Sequence, residues 1–181
     1  MGIGAGEAMN TLPFGLPWEP PRQRLARLAE AIQVIRLLWT SSHEDPANFA
    51  GQYYRLENAL LTQSPTQKPY PPIYIGTFAS HAGLEIVGDL ADGWLPWFNT
   101  IDTYKSRWLV VKQAAQSKGR SPDDIEPATH LMMAFPRNAA EKEAALLVAK
   151  AFLVTEKTIL ISLGQRLDPE VRHYQNLVPS K

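Results

Sequence analysis

The chain has no cysteine among its 181 residues, which removes disulfides, thiolate-bound zinc and iron–sulfur ligation together. It also lacks net charge: 18 Lys and Arg balance 18 Asp and Glu, so no global field favours nucleic acid or an anionic membrane surface. Long apolar runs are missing too. None approaches the ~20 residues needed to span a bilayer. No positive charge precedes the apolar stretch at the N-terminus, which makes it a poor signal peptide. A soluble, cytoplasmic protein is the expectation. What remains is ordinary for a single globular domain, with 45% apolar and 20% charged residues.

Residues 71–98, PPIYIGTFASHAGLEIVGDLADGWLPWF, read as strand, helix and strand with almost no spare residues. Pro71 and Pro72 cannot continue a ladder, so the strand begins after them with Ile73, Tyr74 and Ile75, residues that suit a buried pleated surface. Gly76, Thr77, Phe78 and Ala79 turn the chain, and the Ser80 hydroxyl is placed to cap the helix that follows. Leu84, Val87, Leu90 and Ala91 recur at helical spacing. Asp92 and Gly93 are expected to stop the helix, with Gly93 left-handed at its end. Trp94 to Phe98 form the next apolar run, and strand–helix–strand predicts a parallel pair.

The glycine-dense opening, MGIGAGEAMN, fails the dinucleotide fingerprint because Glu7 stands where a third glycine is required. It reads as the end of a strand and a turn of close backbone approach, against a flexible leader. After a proline-rich loop, a helix starts near Pro21 or Arg22 and buries Leu25, Leu28, Ile32, Ile35 and Trp39. Arg22, Arg24, Arg27 and Arg36 are expected on its solvated face. Residues 49–62 read as a β-hairpin insertion turning at Glu57-Asn58, and residues 62–72 as a proline-rich loop. Thr100 or Asp102 caps a helix with Tyr104, Trp108, Val111 and Ala115 on one face, closed by Gly119. Residues 128–135 read as a strand, with His130 as a packed core or barrel residue rather than a catalytic one. Residues 139–163 read as helix and 165–181 as a loosely ordered tail. The alternation gives an α/β fold with a parallel sheet. About four βα units are too few to close an eight-stranded barrel of about 250 residues. Residues 1–181 therefore read as one domain, a middle-to-late part of such a barrel.

Five stretches carry a family resemblance: GIGAGEAMN, PFGLPWEPPRQRLARLAEAIQVIRLLW, GQYYRLENALL, QKPYPPIYIG and LADGWLPW. In this order they are similar to the luciferase-like flavin/deazaflavin oxidoreductase superfamily. Within it the likeness runs nearest to the coenzyme F420-dependent 5,10-methylenetetrahydromethanopterin reductases of one-carbon metabolism. The resemblance implies a partial (β/α)8 TIM barrel with the cofactor at the C-terminal mouth of its strands. It also implies that the early strands fall outside the match, with a non-prolyl cis peptide under the deazaflavin ring and an acidic catalytic residue. A half-barrel leaves an unpaired strand edge.

Carried over position by position, Glu7 matches a proton-transfer glutamate, and Asn10 a cofactor-contacting asparagine, of a related deazaflavin-dependent sugar-phosphate dehydrogenase. Gly76, Thr77, Phe78 and Ala79 fall where the family holds the cofactor's phosphate-bearing tail. Backbone N–H groups at the start of the Ser80 helix, with the Thr77 hydroxyl, suit an anion independently of the resemblance. Burial beside a planar apolar ring would raise the Glu7 pKa and suit it to acid–base work; a structural carboxylate is the alternative. Trp94 and Trp97, with Phe98, either wall the substrate side or pack as plain core. The implied activity is reversible hydride transfer between coenzyme F420 and methylenetetrahydromethanopterin or a related small-molecule substrate. An FMN-dependent monooxygenase is the alternative enzyme. An inactive fragment, needing a partner polypeptide or the missing barrel half, is the alternative from another class, beside a bare anion-binding module. A homo-oligomer is compatible with the family, and no metal, nucleic-acid or membrane partner is implied.

Overall fold

Alternating side chains build a four-stranded parallel sheet from very short strands. Its members are β1 (Gly2–Ile3), β4 (Tyr74–Ile75), β5 (Gly93–Trp94) and β6 (Glu126–Pro127), in the spatial order β1-β4-β5-β6. An antiparallel hairpin, β2 (Ala47–Ala50) with β3 (Arg55–Ala59), lies outside that sheet. Helices α2 (Pro21–Thr40), α3 (His81–Leu90) and α4 (Ile101–Ser117) connect the strands. The computed structural model describes residues 1–77, 80–97, 100–130 and 133–162, with backbone only for Met9 and 152–162. They fall into two units, Met1–Gly6 with Glu19–His130, and Glu7–Trp18 with Leu131–Lys181.

In the first unit, the register Tyr74↔Gly93 and Ile75↔Trp94 aligns one apolar face. Ile73, Ile75, Trp94 and Ile125 are buried there with Leu84, Val87, Val111 and Ala115 of α3 and α4, and with Leu28 and Ile32 of α2. The Trp94 indole stacks on Tyr104, centroids 4.8 Å apart, and on Trp108 at 6.2 Å. Each buried side chain of this kind stabilises the unit by roughly 1.5–3 kcal/mol. Ser80 and Thr100 cap their helices as expected, accepting from the N–H of Gly83 and Thr103 at 3.1 and 3.2 Å. Gly119 ends α4 with φ +73.

Four expectations are corrected. Gly93 does not end α3 left-handed; it lies in β5, where a Cβ would run into the Tyr74 ring. The hairpin turns at residues 51–54, not at Glu57-Asn58, because the Glu30 carboxylate gathers the N–H groups of Gln52 and Tyr53 at 2.8 Å and Tyr54 at 3.2 Å. The last strand sits at Glu126–Pro127 rather than at 128–135, and Met133 and Phe135 are exposed. His130 is exposed as well, and so is not core.

The arginines of α2 also depart from a solvated face. Arg24 donates to the carbonyls of Ala5, Gly6 and Glu19, Arg27 pairs with Glu19, and Arg36 meets Asp92 at 2.8 Å. Burial holds the Arg24 pKa below its ordinary value, partly countered by the Glu19 charge. Only Arg22 is exposed as foreseen.

The second unit contains α1 (Ala8–Thr11), a 3-10 turn at Leu12–Phe14 and α5 (Ala139–Ser162). Asn138 and Glu141 box the start of α5: Glu141 N–H donates to Asn138 Oδ1 at 2.9 Å, and Arg137 N–H to Glu141 Oε2 at 2.8 Å. The tail expected at 165–181 lies outside the described residues.

Candidate cofactor site

The C-terminal end of β4 carries the geometry of an anion-binding turn. Gly76 N–H donates to Ile3 O at 2.9 Å, and Leu95 N–H to Ile75 O at 3.1 Å, so Gly76 sits between the ends of β1 and β5. The approach on the β1 side is close: a Cβ on Gly4 would lie 3.2 Å from the Gly76 carbonyl oxygen. Gly4 therefore permits a close backbone approach that a side chain would crowd. Thr77 follows, its carbonyl accepting from Trp94 Nε1–H at 3.4 Å. The core indole thus ties the turn to the hydrophobic layer beneath it.

Helix α3 starts against this turn. A Cβ on Gly83 would lie 2.5 Å from Thr77 Oγ1 and 2.8 Å from Ser80 Oγ, which places both hydroxyls at the first helical turn. The first four N–H groups of a helix have no intrahelical acceptor. Ser80 Oγ takes that of Gly83, and His81 and Ala82 occupy the first two positions of α3. These N–H groups, the helix dipole and the Thr77 hydroxyl can together hold a phosphate-sized anion.

Beyond β5 and β6 the sheet continues as single hydrogen bonds. Ala128 N–H donates to Trp94 O at 3.0 Å and His130 N–H to Pro96 O at 3.2 Å. Trp97 and His130 end this ladder side by side, rings 4.5 Å apart and 5° from parallel. Trp94 and Trp97 therefore differ. Trp94 is fully buried core, whereas Trp97 is half-buried at the end of the ladder.

In the second unit, Glu7 and Asn10 are brought together: Asn10 Nδ2 donates to Glu7 Oε2 at 2.9 Å. Thr11 Oγ1 and Asn10 N–H add bonds to the Glu7 carbonyl, because Glu7 stands at the N-cap of α1. Both side chains are exposed, so the burial anticipated for Glu7 is not supplied by its own unit. Phe78, Ala79 and Phe98 lie outside the described residues. Among the described residues no three His, Asp or Glu gather as a metal site, and no helix is long and apolar enough to cross a membrane. Arg24, Arg27, Arg36 and His130 are the polar residues that sequence reasoning misplaced. For Arg27 a signal existed in Glu19, eight residues upstream, whose carboxylate it pairs with.

Residues 1–176 match the luciferase-like monooxygenase family. The chain belongs to that family. Among its curated relatives, the F420-dependent glucose-6-phosphate dehydrogenase of Nakamurella multipartita is 29% identical over 137 residues, 75% of this chain and 39% of that protein. Among solved structures, an F420-dependent secondary alcohol dehydrogenase in complex with an F420–acetone adduct superposes with TM-score 0.64. It is 29% identical and covers 71% of this chain and 38% of its own. The coenzyme F420-dependent tetrahydromethanopterin reductase of Methanopyrus kandleri gives the same TM-score at 21% identity, over 76% of this chain and 42% of its own. Against these relatives of the luciferase-like family, the chain spans about two fifths of their length. The parallel sheet and its helices are thus part of a luciferase-like (β/α)8 barrel.

Proposed function

We propose that this chain carries the phosphate-tail half of a coenzyme F420 site in an oxidoreductase that moves a hydride to or from a small organic substrate. One observation carries the reading: the Gly76–Thr77 turn meets the Ser80-capped start of α3, where the Thr77 and Ser80 hydroxyls pack so closely on Gly83 that no Cβ would fit. That cradle fits a phosphodiester. The F420-dependence of the glucose-6-phosphate and secondary alcohol dehydrogenase relatives supports the choice of this cofactor over FMN. Residues Gly76 and Thr77 hold the tail, joined by Phe78 and Ala79 of the same stretch.

The bound deazaflavin would supply the hydride chemistry, and the protein positioning and exclusion of water. Trp94 pins the turn through Thr77, and Trp97 lies on the substrate side. In the second unit, Glu7 is proposed as the proton-transfer group, oriented by Asn10, which also contacts cofactor. Methylenetetrahydromethanopterin remains a candidate substrate, beside the alcohol and sugar-phosphate chemistry in the relatives' names.

The test is quenching of oxidised F420 fluorescence by the purified chain, with FMN titrated in parallel. Saturable binding of the deazaflavin alone supports the reading. Preference for FMN moves it to the monooxygenase branch, and binding of neither refutes it.

A further inference from the structure

We propose that Trp97 and His130 form a recognition plate for an uncharged substrate, beside the turn proposed for the cofactor tail. The substrate class deepens that functional reading and rests on it for the identity of the neighbouring ligand. The plate itself rests on geometry. Side chains alternate across a sheet, and Trp94 faces α4 through its stacks on Tyr104 and Trp108. Trp97, three residues on along a ladder that continues to Pro96, therefore faces away from the helices. Glu126 also lies on that opposite face, where the Tyr74 hydroxyl donates to its carboxylate. His130, four residues beyond Glu126, shares the face and falls beside Trp97, which accounts for the parallel rings.

Core packing does not explain the pair, since the imidazole is exposed. Stacked flat, it covers part of the indole face and turns its own outer face and ring nitrogens to the exposed side. An apolar wall with one hydrogen-bonding edge is the usual make-up of a small-molecule pocket. Charge narrows the class. Residues 95–104 and 128–130, which follow β5 and β6, contain no lysine or arginine; Asp102 is the charged residue there, and Glu126 lies on the same face of the sheet. A phosphorylated or carboxylated substrate would meet net negative charge on this side, so a neutral carbonyl compound or alcohol fits better.

The experiment is a proton–carbon NMR titration of the full chain, following its four histidines and five tryptophans. His130→Ala and Trp97→Leu supply the assignments. Cyclohexanone is the neutral probe and glucose 6-phosphate the charged one. The indole should displace the His130 ring signals from those of the other histidines, and Trp97→Leu should abolish that displacement. Millimolar cyclohexanone should shift both His130 and Trp97 saturably, at least tenfold more tightly than glucose 6-phosphate. An equal response to the sugar phosphate, or no response to either, overturns the proposal. A cyclohexanone response in a chain that fails to quench F420 keeps the plate and removes the cofactor assignment, so the two failures are distinguishable.

Discussion

Replacing Gly83 by alanine should weaken F420 binding while leaving the fold about as stable as before. The new Cβ would lie 2.5 Å from Thr77 Oγ1 and 2.8 Å from Ser80 Oγ, so both hydroxyls must move. Displacing Ser80 disturbs its 3.1 Å bond from the Gly83 N–H. Loss of an N-cap costs ~1 kcal/mol, while alanine in place of a helical glycine returns up to about 1 kcal/mol. The two effects oppose each other, and the melting temperature should move by only a few degrees, since ~1 kcal/mol is worth about 2–8 °C in a domain of this size range. Binding has no such compensation. A hydrogen bond from Thr77 to a phosphate oxygen contributes about 1.5–3 kcal/mol, and at ~1.4 kcal/mol per decade its loss weakens affinity about ten- to hundredfold. Fluorescence titration beside a thermal melt reads both quantities. Gly2→Ala is the control, because nothing lies within 4 Å of a Cβ there. Affinity within twofold of wild type at unchanged stability would refute the placement of the phosphate tail at this turn.

Gly88→Ala tests the fold instead. Its Cβ would lie 2.6 Å from Val111 O and 2.7 Å from Ala115 N, backbone atoms of α4 that cannot rotate away. Overpacking should cost about 1–3 kcal/mol, less up to ~1 kcal/mol of helix propensity; an undisturbed melt would contradict the close α3–α4 contact. Asp92→Ala removes the acceptor for both Arg36 Nη2 and Ile73 N–H, each 2.8 Å away, and should cost about 1–3 kcal/mol in a urea titration. Glu30 sets an acid limit. Burial alone would raise its pKa, but N–H donors from Tyr53, Gln52 and Tyr54 and the Arg27 charge bring it below the ordinary glutamate value. A depressed folded pKa gives stability that is present above the unfolded value and lost as pH falls through the folded one. Glu30→Gln should therefore flatten that part of the acid unfolding curve, and an unchanged curve would exclude the carboxylate as the clasp of the hairpin turn.

The sheet and its helices were legible because their signals are local. Pro71 and Pro72 mark where β4 can begin, Ser80 and Thr100 announce α3 and α4, and the spacing of Leu84, Val87, Val111 and Ala115 gives their buried faces. What escaped depended on partners distant in sequence. The hairpin turn is fixed by Glu30, some twenty residues away from the segment it clasps. Gly93 carries a helix-stop signal, yet its bare Cα serves the Tyr74 ring across the sheet. Arg24 and Arg36 look like solvated helix residues until Ala5 and Asp92 come to meet them. Likewise His130 sits in an apolar run, and only the strand register reveals that its ring lies on Trp97. Of the candidate site, the turn and its capped helix could be read from residues 76–80, whereas the Trp97–His130 pair required the ladder beyond β5 and β6.

The most direct measurement compares F420 with the same deazaflavin lacking its phosphate-bearing tail, each titrated calorimetrically into the wild-type chain. Recognition through the Gly76–Thr77 turn and the start of α3 predicts that the tail carries the binding, with the tail-less chromophore at least tenfold weaker. Equal affinities for the two would contradict the account, because the capped turn would then hold nothing.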